Sequence, residues 1–153
     1  MRQLADRDRI EAFLAALARE ATGDTDLDLV MRPESDALLR AIPALKERLQ
    51  LNVELASPDQ FIPVPPGWEQ RSPVIVRIGR VTFHHYDFCA QALAKIERGH
   101  SRDLADVEAM RDRGLITPDE VRRQFALIEP QLYRFPAIDP PSFRKAVDAM
   151  FPA

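Results

Sequence analysis

The chain has 153 residues with a formal net charge of -3, which gives no electrostatic reason to expect strong binding to DNA. A composition of 46% hydrophobic and 29% charged residues is typical of one compact domain, and a single cysteine excludes an internal disulfide. The apolar runs are short and interrupted by charge, and the first residues lack the apolar region of a signal peptide, so we expect a cytoplasmic protein with no membrane partner.

The first part of the chain predicts helices that alternate with short strands. Hydrophobic residues at helical spacing indicate a first helix that ends near Gly23. Acidic and aliphatic residues alternate over 26–31, as they do in a strand with one buried face. A second helix is expected over about 35–49, where leucine and isoleucine recur every three or four positions. A short strand over 51–56 completes this part.

Prolines dominate the segment 57–72, which is expected to be an ordered loop because their density excludes a helix or a central strand. Its apolar residues provide anchors to a core, and they are Phe61, Ile62, Val64 and Trp68. Trp68 has the alternative of stacking on a nucleobase. Apolar residues over 74–86, with Gly79 opening a two-residue turn between them, predict a hairpin.

The remainder of the chain predicts helices with well-marked ends. Asp87 could cap the first of them by accepting hydrogen bonds from the first-turn amides, and Gly99 is expected to end it with a left-handed cap. The next helix closes at Gly114. Thr117 then supplies an N-cap, followed by a first-turn proline and a capping-box glutamate, so a third helix is expected there. A terminal helix is predicted over 142–151.

Three acidic residues on neighbouring predicted strands form the first candidate site. Asp26 and Asp28 are two residues apart and therefore share one face of their strand, and Glu54 joins them if the next strand lies alongside. Three carboxylates and water suit Mg²⁺ or Mn²⁺, with the phosphates of a nucleotide completing the octahedron. Such metals catalyse phosphoryl or nucleotidyl transfer. The alternative is that the Asp-x-Asp pair is simply the solvated face of an edge strand.

A second group of charged residues spans the expected helix break at Gly99. Lys95 lies near the end of one helix, while Asp103 and Asp106 share a face of the next, so the break allows these groups to converge. In that arrangement Lys95 could bind nucleotide phosphates, and Asp103 could orient it or the adjacent arginines. The alternative is a surface ladder of salt bridges, because residues 95–123 contain seven basic and seven acidic residues.

The order of these features resembles the nucleotidyltransferase-like proteins of the DNA polymerase beta superfamily. The shared pattern is an acid-aliphatic-acid strand, a strand with Glu54, a hairpin, Lys95, and then Arg102-Asp103-x-x-Asp106. It is most similar to small bacterial members related to abortive-infection toxins of toxin–antitoxin systems. The resemblance covers about 24–128, and the segments that look most typical are 52–58, 61–65 and 90–100.

This resemblance implies an α+β fold in which a small mixed β-sheet is flanked by helices. Together with the length and composition, it predicts one domain over 1–153, with a sheet-containing core over about 1–86 and a helical part over about 87–153. The implied reaction transfers a nucleoside monophosphate from a nucleotide triphosphate to an acceptor hydroxyl with Mg²⁺ or Mn²⁺. A protein side chain, the end of an RNA or a small molecule are the open alternatives for the acceptor.

The resemblance also implies roles for individual residues. The implied catalytic and metal-binding residues are Asp26, Asp28 and Glu54. The implied nucleotide-binding residues are Lys95, Arg102, Asp103 and Asp106.

One element of that family is missing from the sequence. The family carries a Gly-Gly or Gly-Ser pair before its acidic strand, where the triphosphate binds, and the five glycines of this chain include no such pair. Two further functions therefore stay open. One is a catalytically degenerate binding module, such as one half of a toxin–antitoxin pair, and the other is a regulatory domain that binds nucleotide without turnover.

Overall fold

The structure is a computed structural model that describes residues 26–28, 36–49, 52–54, 56–78 and 81–153. The chain divides into two compact units, of which the first comprises Met1–Ser57 with Val74–Phe83 and the second comprises Pro58–Pro73 with His84–Ala153. We call them the strand unit and the helical unit. The expected helix that ends near Gly23 and the hairpin turn at Gly79 lie outside the described residues.

The strand unit begins with a strand–helix–strand arrangement. Strand β1 (Asp26–Asp28) is followed by helix α1 (Asp36–Leu49) and strand β2 (Asn52–Glu54), and β1 and β2 pair in parallel. Parallel neighbours need a crossover connection, and the leucine-rich segment predicted to be helical provides it as α1. The predicted order of strand, helix and strand is therefore confirmed.

The second strand pair of this unit is the predicted hairpin. Strands β3 (Val74–Ile78) and β4 (Val81–His84) pair with each other, and a connection of two residues requires them to run antiparallel. The α+β class is confirmed. Among the described strands, parallel and antiparallel pairing occur in two separate sheets, whereas the resemblance implies one mixed sheet.

The helical unit is built around its first long helix. The unit contains α2 (Phe88–Arg98), α3 (Ser101–Asp112), α4 (Pro118–Ile128) and α5 (Pro140–Met150), with short 3₁₀ helices at Pro58–Gln60 and Glu129–Arg134. Helix α2 packs against α3, α4, α5 and the first 3₁₀ helix. It can have so many neighbours because three of its six buried residues are alanines, whose small side chains let other helices approach.

Large aliphatic and aromatic side chains form the core of the helical unit. Complete burial of one such side chain stabilises a fold by about 1.5–3 kcal/mol. The proline-rich segment contributes Ile62, which is fully buried, so its predicted role as an anchor is confirmed. The same expectation for Phe61 is wrong, because its side chain is 40% exposed. The large aliphatic and aromatic core residues with the least exposure are Ile62, Leu93, Ile96, Val107, Val121, Ile128, Leu132, Val147 and Phe151.

Local sequence signals set two of the helix ends as expected. Gly99 ends α2 in the left-handed conformation, with φ 71°, and its amide donates to the carbonyl of Lys95. Thr117 begins α4, and its Oγ1 accepts a hydrogen bond of 3.2 Å from the amide of Glu120. Among the helices in the described ranges, none combines the length and apolarity that crossing a membrane requires.

Candidate functional site

The register of β1 and β2 brings the three acidic positions of the first candidate site to neighbouring places. Asp28 pairs with Glu54, and Asp26 pairs with Asn52. Paired strands lie about 4.8 Å apart, and alternate residues of a strand share a face. Positions 26, 28 and 54 therefore belong to one face of the strand pair. The expectation that the two strands lie side by side is confirmed, and metal binding there stays a prediction.

The charged residues of this strand pair are all acidic. Its six paired positions hold three acidic residues, one asparagine and two aliphatic residues, and none of the six is basic. Adjacent like charges repel, and a divalent cation relieves that repulsion when oxygen ligands are available. Among the side chains that the structure describes, no group of three or more His, Cys, Asp or Glu residues is arranged to hold a metal ion.

The second candidate site is the α2–α3 corner, which we define as Lys95, Arg98, Asp103 and Asp106. Nζ of Lys95 lies 2.7 Å from Oδ2 of Asp106 and 4.0 Å from Oδ1 of Asp103. Nη2 of Arg98 lies 2.8 Å from the same Oδ1 of Asp103. The predicted convergence of Lys95 with the two aspartates is therefore confirmed, and the left-handed turn at Gly99 makes it possible.

The two aspartates of the corner differ in exposure. The side chain of Asp103 is only 11% exposed and has two cations beside it, whereas that of Asp106 is 50% exposed. Asp103 also lies in the first turn of α3, where the partial positive charge of the helix N-terminus favours a carboxylate. Asp103 is therefore the fixed member of the corner, and Asp106 is its accessible member.

Arg98 extends the corner to the proline-rich segment. Its guanidinium carbon lies 5.9 Å from the centroid of the Phe61 ring, within the range of a cation–π contact. The resemblance assigned a nucleotide contact to Arg102, which is exposed near the start of α3, and assigned none to Arg98. The sequence did contain a signal for the contact between Arg98 and Asp103. Arg98 is a cation five residues before Asp103, and the helix-ending glycine between them reverses the chain and brings the two side chains together.

Asp87 is held in a buried ion pair instead of capping α2. Its side chain is 4% exposed, and its Oδ2 lies 2.9 Å from Nη2 of Arg71, which also donates from Nε to Oδ1 at 3.4 Å. No first-turn amide donates to this carboxylate, so the predicted cap is wrong. A guanidinium satisfies both carboxylate oxygens at once, and such bidentate pairs are among the strongest hydrogen-bonded contacts in proteins. The pair links the proline-rich segment to the start of α2.

Two further side chains that could carry chemistry, Cys89 and Trp68, are packed within the helical unit itself. Cys89 is buried, and burial, followed by the carboxylates of Asp87 and Glu120, raises the pKa of its thiol to about 12. The thiol is therefore protonated near neutral pH and is not a ready nucleophile. The indole of Trp68 stacks on Tyr86, with ring centroids 4.5 Å apart and planes within 4°. This contact supports its interpretation as a loop anchor.

Comparison of the chain with protein-family models, with curated proteins and with solved structures found no match in any of the three. A functional assignment therefore depends on the sequence resemblance and on the contacts described above.

Proposed function

We propose that this protein is a nucleotidyltransferase-like domain that transfers a nucleoside monophosphate from a nucleotide triphosphate to an acceptor hydroxyl. The observation that supports the proposal most directly is the register of β1 and β2, which pairs Glu54 with Asp28 and leaves Asp26 on the same face. Three acidic positions so placed form a donor set of hard oxygens, which fits Mg²⁺ or Mn²⁺.

In this proposal the residues of the strand pair bind metal and move one proton. Asp26 and Asp28 are metal ligands, and Glu54 either completes the ligand set or accepts the proton of the acceptor hydroxyl. The acceptor oxygen forms a bond to the α-phosphorus, the bond from that phosphorus to the bridging oxygen breaks, and pyrophosphate leaves. A bound divalent cation stabilises charge on the attacking and leaving oxygens.

The sequence resemblance also implies contacts to phosphate at the α2–α3 corner, and these are proposed separately from the strand pair. Lys95 and Arg102 would provide positive charge to the phosphate oxygens, and Asp103 would position Lys95 and Arg98 through the contacts of 4.0 and 2.8 Å. Asp106 belongs to the same acidic motif and neutralises Lys95 before a ligand binds. The strand pair and the corner lie in different compact units, and each is proposed on its own contacts.

A label-transfer experiment tests the proposed reaction. The chain is incubated with each of four α-labelled nucleotide triphosphates and Mg²⁺, with the protein alone and with total RNA as acceptors. We expect Asp26→Ala combined with Asp28→Ala to lower transfer about 100-fold or more, because the metal ligands are lost. Asp36→Asn, at an exposed acidic residue of α1, is the matched control and should leave transfer unchanged. Equal labelling by the wild type and the double variant would exclude the assignment.

A second function, a degenerate binding module of a toxin–antitoxin pair, is favoured by two observations. Lys95 already has two carboxylate partners, and the sequence lacks the glycine pair of the family. Calorimetry with Mg²⁺ and ATP separates the alternatives. The binding module predicts no heat beyond dilution, and a regulatory nucleotide-binding domain predicts heat without label transfer.

A further inference from the structure

The corner holds Lys95 between two carboxylates that differ in how firmly each is fixed. Asp103 is almost buried and is shared with Arg98, so its departure would leave two cations without a buried counter-ion. Asp106 is half-exposed, and Lys95 is its ion-pair partner among the described residues. Exposed ion pairs of this kind contribute little to stability, so the Lys95–Asp106 contact can open at small cost.

We propose that Asp106 is a displaceable counter-ion, whose place at Lys95 is taken by the phosphate chain of a nucleotide. This inference rests on the proposed function, and it adds a regulatory step to the same site. The phosphate chain exchanges with one carboxylate, while Arg98 and Asp103 keep their contact. Asp106 therefore competes with an incoming anion for Lys95 and lowers the affinity of that anion.

The geometry of α3 explains why Asp106 is the carboxylate that exchanges. Asp106 lies one helical turn after Asp103, so both reach toward the end of α2, but only Asp106 has solvent on one side. Rotation about its side-chain bonds moves the carboxylate into water without any change in α3. A triphosphate chain carries more negative charge than one carboxylate and can bind Nζ of Lys95 through several oxygens.

Binding of inorganic tripolyphosphate, measured by calorimetry in EDTA, tests the exchange without any metal or nucleoside. We expect Asp106→Asn to bind about fivefold more tightly than the wild type, because one competing charge is removed. The matched control is Asp112→Asn, which alters net charge equally on the same helix at a side chain that is 72% exposed and contacts Arg111. Its affinity should equal that of the wild type.

Two substitutions of Lys95 show whether the gain in tripolyphosphate affinity of Asp106→Asn depends on this side chain. Lys95→Gln should abolish the gain when it is combined with Asp106→Asn, and Lys95→Arg should retain it because the charge is kept. Circular dichroism and thermal unfolding confirm that each variant is folded. An ATP arm should give the same relative gain as tripolyphosphate, since both carry the phosphate chain.

The inference is overturned if Asp106→Asn binds no more tightly than Asp112→Asn, or if the gain persists with Lys95→Gln. A gain confined to ATP would also overturn it, because the phosphate chain would not be the exchanging group. This experiment contains no metal and does not involve Asp26 or Asp28. Loss of label transfer and loss of the tripolyphosphate effect are therefore separate outcomes.

Discussion

The strand pair β1–β2 and the α2–α3 corner both concentrate acidic residues, but they surround them with different neighbours. In the strand pair, three acidic positions adjoin one another and none of the six paired residues is basic. In the corner, each aspartate lies beside a lysine or an arginine. We propose a cation as the ligand of the first arrangement, whereas the second is already neutral, so that an anion would bind there only by exchange. The same residue type is therefore proposed to serve two different ligands.

The largest expected loss of stability comes from removing the arginine of the buried Arg71–Asp87 ion pair in the helical unit. Arg71→Met leaves the carboxylate of Asp87, which is 4% exposed, without its partner, and we expect the free energy of unfolding to fall by about 3 kcal/mol. Urea unfolding measures this loss. Arg123→Gln, in a pair whose arginine side chain is 66% exposed, serves as the control and should change stability by less than about 0.5 kcal/mol. Similar losses of stability in both variants would contradict the expected difference between the buried and the exposed ion pair.

Substitutions of the two aspartates of the corner should likewise differ in how much stability they cost, with the larger loss at the more buried residue. Asp103→Asn weakens the charged contacts to Arg98 and Lys95 at a side chain that is 11% exposed, and we expect a loss of about 2 kcal/mol. Asp106→Asn removes a half-exposed partner and should cost less than about 0.5 kcal/mol. Urea unfolding of both variants under one condition compares them. If the second loss equals the first, Asp106 is not the displaceable member.

The raised pKa of Cys89 can be tested through the dependence of stability on alkaline pH. Because burial, Asp87 and Glu120 raise the pKa of Cys89 to about 12, the folded chain keeps this proton after the unfolded thiol, with a pKa of about 8.5, has lost it. Stability should therefore fall by about 1.4 kcal/mol per pH unit as the pH rises between these two values. Unfolding of the wild type and of Cys89→Ala at pH 8, 9 and 10 measures the difference, since other titrating groups are common to both. Parallel pH profiles would contradict it.

The smallest effect should come from relieving repulsion in the strand pair. Without divalent cations, Asp28→Asn should raise the free energy of unfolding by about 0.5 kcal/mol, because a like-charge cross-strand pair with Glu54 is removed. Addition of Mg²⁺ should then stabilise the wild type more than the variant, since binding to the folded state alone increases stability. Thermal unfolding with and without Mg²⁺ tests both signs. An equal response to Mg²⁺ in the two proteins would remove the metal site from β1–β2.

Features determined by a few adjacent residues could be predicted from the sequence. Gly99 and Thr117 set helix ends because a left-handed residue and a hydroxyl cap act on the backbone within four positions. The convergence of Lys95 with Asp103 and Asp106 followed from the same break. These predictions needed no knowledge of what packs against the helices.

Features that depend on distant partners could not be predicted. Asp87 has a sequence suited to a cap, but Arg71, sixteen residues earlier, binds its carboxylate more strongly than the amides would. Phe61 and Ile62 are adjacent apolar residues, and only the packing of the proline-rich segment decides that Ile62 is the buried one. The different exposure of Asp103 and Asp106 likewise depends on how α3 packs. The functional roles of the candidate residues stay predictions: Asp26, Asp28, Glu54, Lys95, Arg102, Asp103 and Asp106.

The contacts between the proline-rich segment and the start of α2 have a consequence for engineering the chain. The amide of His85 donates to the carbonyl of Pro73 at 2.9 Å, and the Arg71–Asp87 pair reinforces this junction. The segment 74–83 therefore leaves and re-enters the helical unit at residues that these contacts hold together. We therefore expect that a foreign hairpin or a short turn in place of residues 74–83 would leave the path of the helices unchanged, while the strand unit would lose its second strand pair.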